Sequence, residues 1–139
     1  MAYWLVKSEP DAWSWDQQVK SGAEGEAWTG VRNFQARANL NAMKKGERAF
    51  FYHSNEGKEI VGVVEVIKES HPDPTDDTGK WIVVTFKAIA PLKTAVTLAA
   101  IKADPKLKDM VLAKNSRLSV QPVSEAEWNH ICKLGGVKA

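Results

Sequence analysis

Residues 48–70 read RAFFYHSNEGKEIVGVVEVIKES, and this stretch decides the fold class. Arg48–His53 and residues 59–70 are dense in Phe, Tyr, Val and Ile, which pack well on a pleated, half-buried surface. Between them, Ser54-Asn55-Glu56-Gly57 supplies the small polar residues and the glycine of a hairpin turn. Two strands joined by a tight turn are therefore predicted. A third is predicted over residues 80–91, after a connection at 71–79 whose Pro72 and Pro74 are unsuited to regular structure.

Toward the N-terminus, residues 3–7 read as a short strand apolar enough to be buried. Ser14 and Gln17 form a capping box for a helix over 14–21, with Gly22 as its stop. Residues 24–29 read as another strand. Residues 33–45 carry helix formers, among them Ala36, Leu40 and Met43, with Gly46 set to cap the end. Toward the C-terminus the pattern predicts a short helix over 98–103, a strand over 117–120, and a closing helix after the capping box of Ser124 and Glu127. Five or six strands and three or four short helices, not alternating regularly, argue against a doubly wound sheet. The expected class is α+β: a small, strongly curved sheet closed into a barrel and capped by helices, with residues 1–139 forming one domain.

Composition excludes several function classes. Hydrophobic residues at 44% and charged residues at 26% describe an ordinary soluble chain. No apolar run approaches the roughly 20 residues that cross a bilayer. The opening Met1-Ala2-Tyr3-Trp4 lacks the basic and apolar regions of a signal peptide, and Cys132 is the only cysteine. A reducing, cytoplasmic setting, no membrane partner and a monomer are the resulting expectations. The net charge of +2 does not demand blanket phosphate binding. It is distributed unevenly, with Arg32, Arg37, Lys44, Lys45 and Arg48 in one run and Lys102, Lys106, Lys108, Lys114 and Arg117 in another. Either run also suits a solvated face.

Catalytic and metal signatures are thin. His53, His71 and His130 lie in three different elements, with no partner at metal-ligand spacing. Asp73, Asp76 and Asp77 fit a solvated turn better than a cation loop, because the spacing of a calcium-binding loop is absent. Cys132 falls on the apolar face of the last helix, which suits packing. Lys7-Ser8-Glu9 groups an amine, a hydroxyl and a carboxylate, yet adjacent residues need not converge in space. No cofactor and no catalytic residue are expected.

Tryptophan is the informative residue. Six in 139 are many, and a buried indole N–H needs an acceptor. Trp4 and Trp128 suit the core, while Trp13 and Trp15 flank a helix start and fit packing or surface stacking. Trp28 is followed by Thr29-Gly30-Val31-Arg32-Asn33, then by Phe34-Gln35 at a helix start, where free N–H groups and Arg32 suit an anion. An indole beside amide and guanidinium donors matches what a flat heterocycle requires: a stacking face and edge contacts. A buried Trp next to a polar turn is the plainer alternative.

At these residues the chain resembles an EVE domain, a member of the PUA-like superfamily related to YTH domains, the readers of methylated adenine. The resemblance rests on YWLVKSEP at 3–10, WTGVRNFQAR at 28–37, FFYHSN at 50–55, GVVEV at 62–66, PDPT at 72–75 and RLSVQPV at 117–123, all in the same order. Ala38 departs from the family, which usually has Asn there. The resemblance implies a PUA-like β-barrel that takes a modified base of DNA or RNA, methylated or hydroxymethylated cytosine or another modified base, into an aromatic pocket. It implies Trp28 as the stacking wall, and Lys7, Ser8, Glu9, Thr29, Gly30 and Asn33 as pocket and edge contacts. Arg32, Gln35 and Arg37 would meet a base edge or a flanking phosphate. Tyr52, His53, Ser54 and Asn55 would form the opposite lip, with Trp81 as a second ring. The expected partner is a nucleic acid carrying a modified base, and any output would need a separate effector protein. The competing readings are a sensor of a free nucleotide-like molecule and an RNA- or nucleotide-processing enzyme built on Lys7, Glu9 and His53.

Overall fold

β1 (Tyr3–Ser8) and β3 (Arg48–His53) lie side by side and parallel inside a six-stranded sheet. In this computed structural model, residues 2–55, 57–115 and 117–138 are described. Met1, Ser116, Ala139 and Glu56, the last in the turn expected at 54–57, lie outside them. Successive side chains of a strand point to opposite faces. Trp4, Val6, Ala49 and Phe51 accordingly enter one core, and Leu5, Phe50 and Tyr52 enter a second on the other face. Both faces of this parallel pair are covered, which explains why its sequence reads as unbroken apolar runs instead of an alternation.

The sheet continues through β4 (Glu59–Pro72) and β5 (Ile82–Thr97), both longer than the sequence predicts. Their pairing slips register repeatedly between Ile60 and His71. Each slip bends the strand and increases its twist. The sheet order is β2-β5-β4-β3-β1-β6, with β2 (Glu26–Ala27) and β6 (Val120–Val123) at its edges. The expected barrel therefore does not close. β2 is two residues long and the edge strands share no ladder. Helix α2 (Phe34–Ala42) takes the place of that ladder: Asn39 Nδ2 donates to the Val120 carbonyl at 2.7 Å and the Arg37 guanidinium to the Lys80 carbonyl at 3.0 Å.

The two capping boxes read from the sequence are present. Ser14 and Gln17 cap α1 (Trp15–Lys20), and Ser124 and Glu127 cap α5 (Glu125–Gly135), each in both directions. α3 (Leu98–Ala103) has the predicted bounds. β6 lies three residues beyond its expected position, and α4 (Val111–Lys114) was unforeseen, being one turn long and without a period to detect. α2 stops at Ala42, short of Gly46, because the following turn is claimed by Glu47. That carboxylate is buried and accepts from the Ala2 N–H at 2.9 Å, the Trp4 indole at 3.1 Å and the Lys44 N–H at 2.8 Å. Burial raises its pKa, and the three donors together outweigh that and hold it below the ordinary value. Trp128 is fully buried, its ring stacked between Tyr3 and Phe50 at 4.6 and 3.9 Å.

Candidate functional site

The end of β1, the turn after it and the segment after β2 enclose a cleft of about 450 Å³. Lys7, Ser8 and Glu9 line one side, Ala12 and Trp13 a second, and residues 26–30 the third. This volume lies within the range that holds a small organic ligand, about 300–1,000 Å³. The sequence thus anticipates two of the three walls, and the structure adds Trp13.

Local hydrogen bonds fix each wall. The Glu9 carbonyl accepts from the N–H groups of Ala12 and Trp13 at 3.0 and 2.9 Å, and the Ser8 hydroxyl donates to the Trp13 carbonyl. The Trp13 indole donates to Gln18 Oε1 at 2.8 Å, and Gln18, fully buried, donates onward to the Phe86 carbonyl at 2.9 Å. Trp13 is therefore locked to the sheet through a satisfied amide. On the opposite wall the Trp28 N–H donates to the Val84 carbonyl, extending the β2 edge by one residue. Gly30 has φ of 78° and open space where a side chain would stand. Glycine adopts this backbone without penalty and leaves the cleft mouth clear.

Trp28 departs from the expected exposed stacking wall. It is 8% exposed and belongs to the core, meeting Phe51 and Phe86 edge-on at 5.6 Å each. The plainer alternative thus describes most of its surface, although the residue still borders the cleft. Asn33 is also committed elsewhere: its side chain caps α2 by accepting from the Ala36 N–H at 2.9 Å. Tyr52 belongs to the core on the other face, and burial raises its pKa. His53 Nε2 accepts from the Trp15 N–H at 3.1 Å, and burial lowers the imidazole pKa despite Glu59 and Asp16. The acceptor role and the lowered pKa both describe a neutral ring that orients α1. The Ser54 N–H donates to the Ser8 carbonyl, and Asn55 takes a positive φ in the turn. His53 and Ser54 thus brace α1 and the β1 end, while Tyr52 packs in the core.

Lys7 borders the cleft at the end of β1, and its ammonium lies 5.9 Å from the Tyr52 ring centroid, on the face of the second core. Partial burial lowers its pKa from the ordinary lysine value. Glu9, Thr29 and Gly30 are exposed at the mouth. The cleft is therefore bordered by Lys7, by the Ser8 and Thr29 hydroxyls and by the Glu9 carboxylate, beside Trp13 and Trp28.

Asp73 corrects the reading of residues 73–77 as a solvated turn. It is 2% exposed, and its carboxylate accepts four hydrogen bonds. Oδ1 receives the Thr75 N–H at 2.7 Å and the Thr75 hydroxyl at 2.6 Å, while Oδ2 receives the Gly30 N–H at 3.1 Å and Arg32 at 3.0 Å. Burial alone raises its pKa, but these donors bring it down to about 2. Asp73 thereby ties the cleft mouth at Gly30 to the loop that carries Trp81. Its burial was not legible in the sequence, because two of its four donors, Gly30 and Arg32, come from residues more than 40 positions away.

Beside this tie, Trp81 stacks on Phe34 at 5.0 Å with 29° between the rings. Arg32 lies 5.6 Å from the Trp81 ring, and Arg37 lies 4.9 Å from Phe34 and 5.8 Å from Trp81. Gln35 is exposed on the same first turn of α2. Phe34 was not anticipated as a site residue. Its signal was an aromatic at the first position of a helix, where the chain leaves it in solvent.

Comparison with known proteins follows this geometry closely. The EVE domain family model matches residues 2–134. Human thymocyte nuclear protein 1 is 33% identical over 165 residues, covering 96% of this chain and 73% of its own. The crystal structure of human THYN1 protein in complex with 5-methylcytosine containing DNA superposes with a TM-score of 0.90 at 32% identity, covering 100% of both chains. The NMR structure of Rpa0253 from Rhodopseudomonas palustris is 65% identical with a TM-score of 0.93, covering 98% of this chain and 94% of its own. A YTH domain from Zygosaccharomyces rouxii, at 19% identity and a TM-score of 0.60, shares the fold over 99% of this chain and 86% of its own.

Proposed function

Because this chain belongs to the EVE domain family, we propose that it is a binding module that takes a modified nucleobase of a nucleic-acid strand into the cleft between Lys7–Glu9 and Trp28–Gly30. The observation that supports this most is the superposition, over the full length of both chains, on human THYN1 protein in complex with 5-methylcytosine containing DNA.

The lining residues suit a cytosine-like ring. A carboxylate accepts well from an exocyclic amino group such as cytosine N4, and Glu9 stands at the mouth to do so. Ser8 and Thr29 add hydroxyls, and Lys7 borders the same cleft. Trp13 is the less committed indole, half-buried against the core at the cleft wall, whereas the structure buries most of Trp28. Taking a base out of its stack costs a few kcal/mol. Stacking returns about 1–3 kcal/mol per base, so the edge contacts must contribute the remainder. A methyl group added to the base is selected if it fills apolar space that an unmodified ring leaves wet.

Titration of short single-stranded oligonucleotides carrying cytosine or 5-methylcytosine, followed by tryptophan fluorescence at two salt concentrations, tests the reading. We expect saturable quenching with a preference for the methylated strand of about tenfold, equivalent to ~1.4 kcal/mol. Affinity should fall with salt in proportion to the few phosphates contacted. Equal affinity for both oligonucleotides would overturn the modified-base reading. Tight, salt-independent binding of a free nucleoside in place of the strand would favour a small-molecule sensor.

A further inference from the structure

Resting on that reading, we propose that Phe34 and Trp81, with the guanidinium groups of Arg37 and Arg32 against their rings, form a second stacking platform that receives a base flanking the captured one. Phe34 is 62% exposed, the most exposed of the large hydrophobic residues described, and the others, Val19 and Leu134, are aliphatic. It is not a stray apolar side chain, because Trp81 stacks beneath it and Arg37 lies across both rings.

The platform is held in advance of any ligand. The Trp81 N–H donates to Asp76 Oδ2 at 2.9 Å and its carbonyl accepts from the Asp73 N–H at 3.0 Å. Arg37 donates to the Lys80 carbonyl at 3.0 Å, and Arg32 to Asp73 at 3.0 Å and Thr75 at 3.2 Å. Side chains fixed before binding lose little entropy when a ligand arrives.

The occupant follows from chemistry and position. Nucleobases stack on aromatic rings and on arginine planes, and both are present here. Arg32 spends its charge on Asp73, whereas Arg37 meets a carbonyl and two rings and has no carboxylate partner among the described residues. One cation thus remains to attract a polyanion. Phe34 lies four residues from Gly30 at the cleft mouth, so their Cα atoms are at most about 14 Å apart. Stacked nucleotides rise about 3.4 Å each, which places the platform within a few nucleotides of a base held in the cleft.

The test compares wild type, Phe34→Ala and Phe34→Tyr against a 5-methylcytosine oligonucleotide, free 5-methyl-2′-deoxycytidine, and oligonucleotides with an abasic residue at each of two positions on either side of the methylated base. Phe34→Ala should lower oligonucleotide affinity about tenfold and leave nucleoside affinity unchanged, with Phe34→Tyr restoring the wild-type value. One abasic position should cost wild type a similar factor and cost Phe34→Ala nothing further. Unchanged oligonucleotide affinity in Phe34→Ala overturns the platform alone, as does a loss that persists against every abasic strand. A wild-type protein that binds no oligonucleotide overturns both the platform and the function on which it rests.

Discussion

Trp28→Ala lowers the stability of the protein by about 3 kcal/mol and its unfolding midpoint by roughly 10 °C. The indole packs edge-on against Phe51 and Phe86, one from β3 and one from β5, and so joins two strands that are not neighbours in the sheet. Truncation removes that contact and leaves a hole that β3 and β5, pinned by their own ladders, cannot collapse to fill. The estimate sits at the low end of the usual range because the hole opens into the cleft and water can enter it. Thermal denaturation checks it. A midpoint within two degrees of wild type would contradict the core position of Trp28. Loss of ligand binding in this variant is therefore ambiguous by itself, and Trp13 is the better residue for probing stacking.

Asp73→Asn is expected to cost a similar amount, about 3 kcal/mol at neutral pH. All four groups facing the carboxylate are donors: the Thr75 N–H and hydroxyl, the Gly30 N–H and the Arg32 guanidinium. An amide has one acceptor oxygen and presents its NH₂ group to the remaining pair, so two donors facing the buried side chain lose their acceptor. The substitution also has a pH signature. The Asp73 carboxyl is held at about 2, below the ordinary 3.8, so its stabilisation is fully present above about pH 4 and is lost as pH falls through 2. The stability difference between wild type and Asp73→Asn should shrink over that window. The comparison isolates Asp73, because Asp76 is also held at about 2 and titrates in both proteins. Urea unfolding of both proteins between pH 2 and 7 checks this. A difference that stays constant across the window would show that the carboxylate charge does not contribute.

What the sequence revealed was mostly local. Ser14 with Gln17 and Ser124 with Glu127 cap their helices through contacts three residues apart, so the spacing alone identifies them. The strands at Arg48–His53 and Tyr3–Ser8 were legible because burial on both faces leaves continuous apolar runs. Long-range partners were not legible. Glu47 ends α2 early by gathering donors from Ala2 and Trp4, and Asp73 looks like one more turn aspartate until Gly30 and Arg32 arrive beside it. Barrel closure failed for a related reason: whether two edges meet depends on where α2 packs, and its own sequence carries no record of that. At the site, the segments 7–9 and 28–30 were found, whereas Trp13 and Phe34 came from the structure. Residues 52–55 were expected to form a lip; the structure keeps Tyr52 and His53 within β3, where His53 braces Trp15 and the following Ser54 braces Ser8.

In the proposed function the base enters the cleft between β1 and the segment after β2, and Thr29→Trp tests this most directly. Thr29 is exposed at the cleft mouth, so a larger side chain there obstructs the cleft without entering the core. Affinity of Thr29→Trp for a 5-methylcytosine oligonucleotide, measured by fluorescence anisotropy of a labelled strand, should fall by more than about tenfold with the unfolding midpoint unchanged. A variant that folds as wild type does and binds the methylated strand with undiminished affinity would contradict the claim and place the base elsewhere on the molecule.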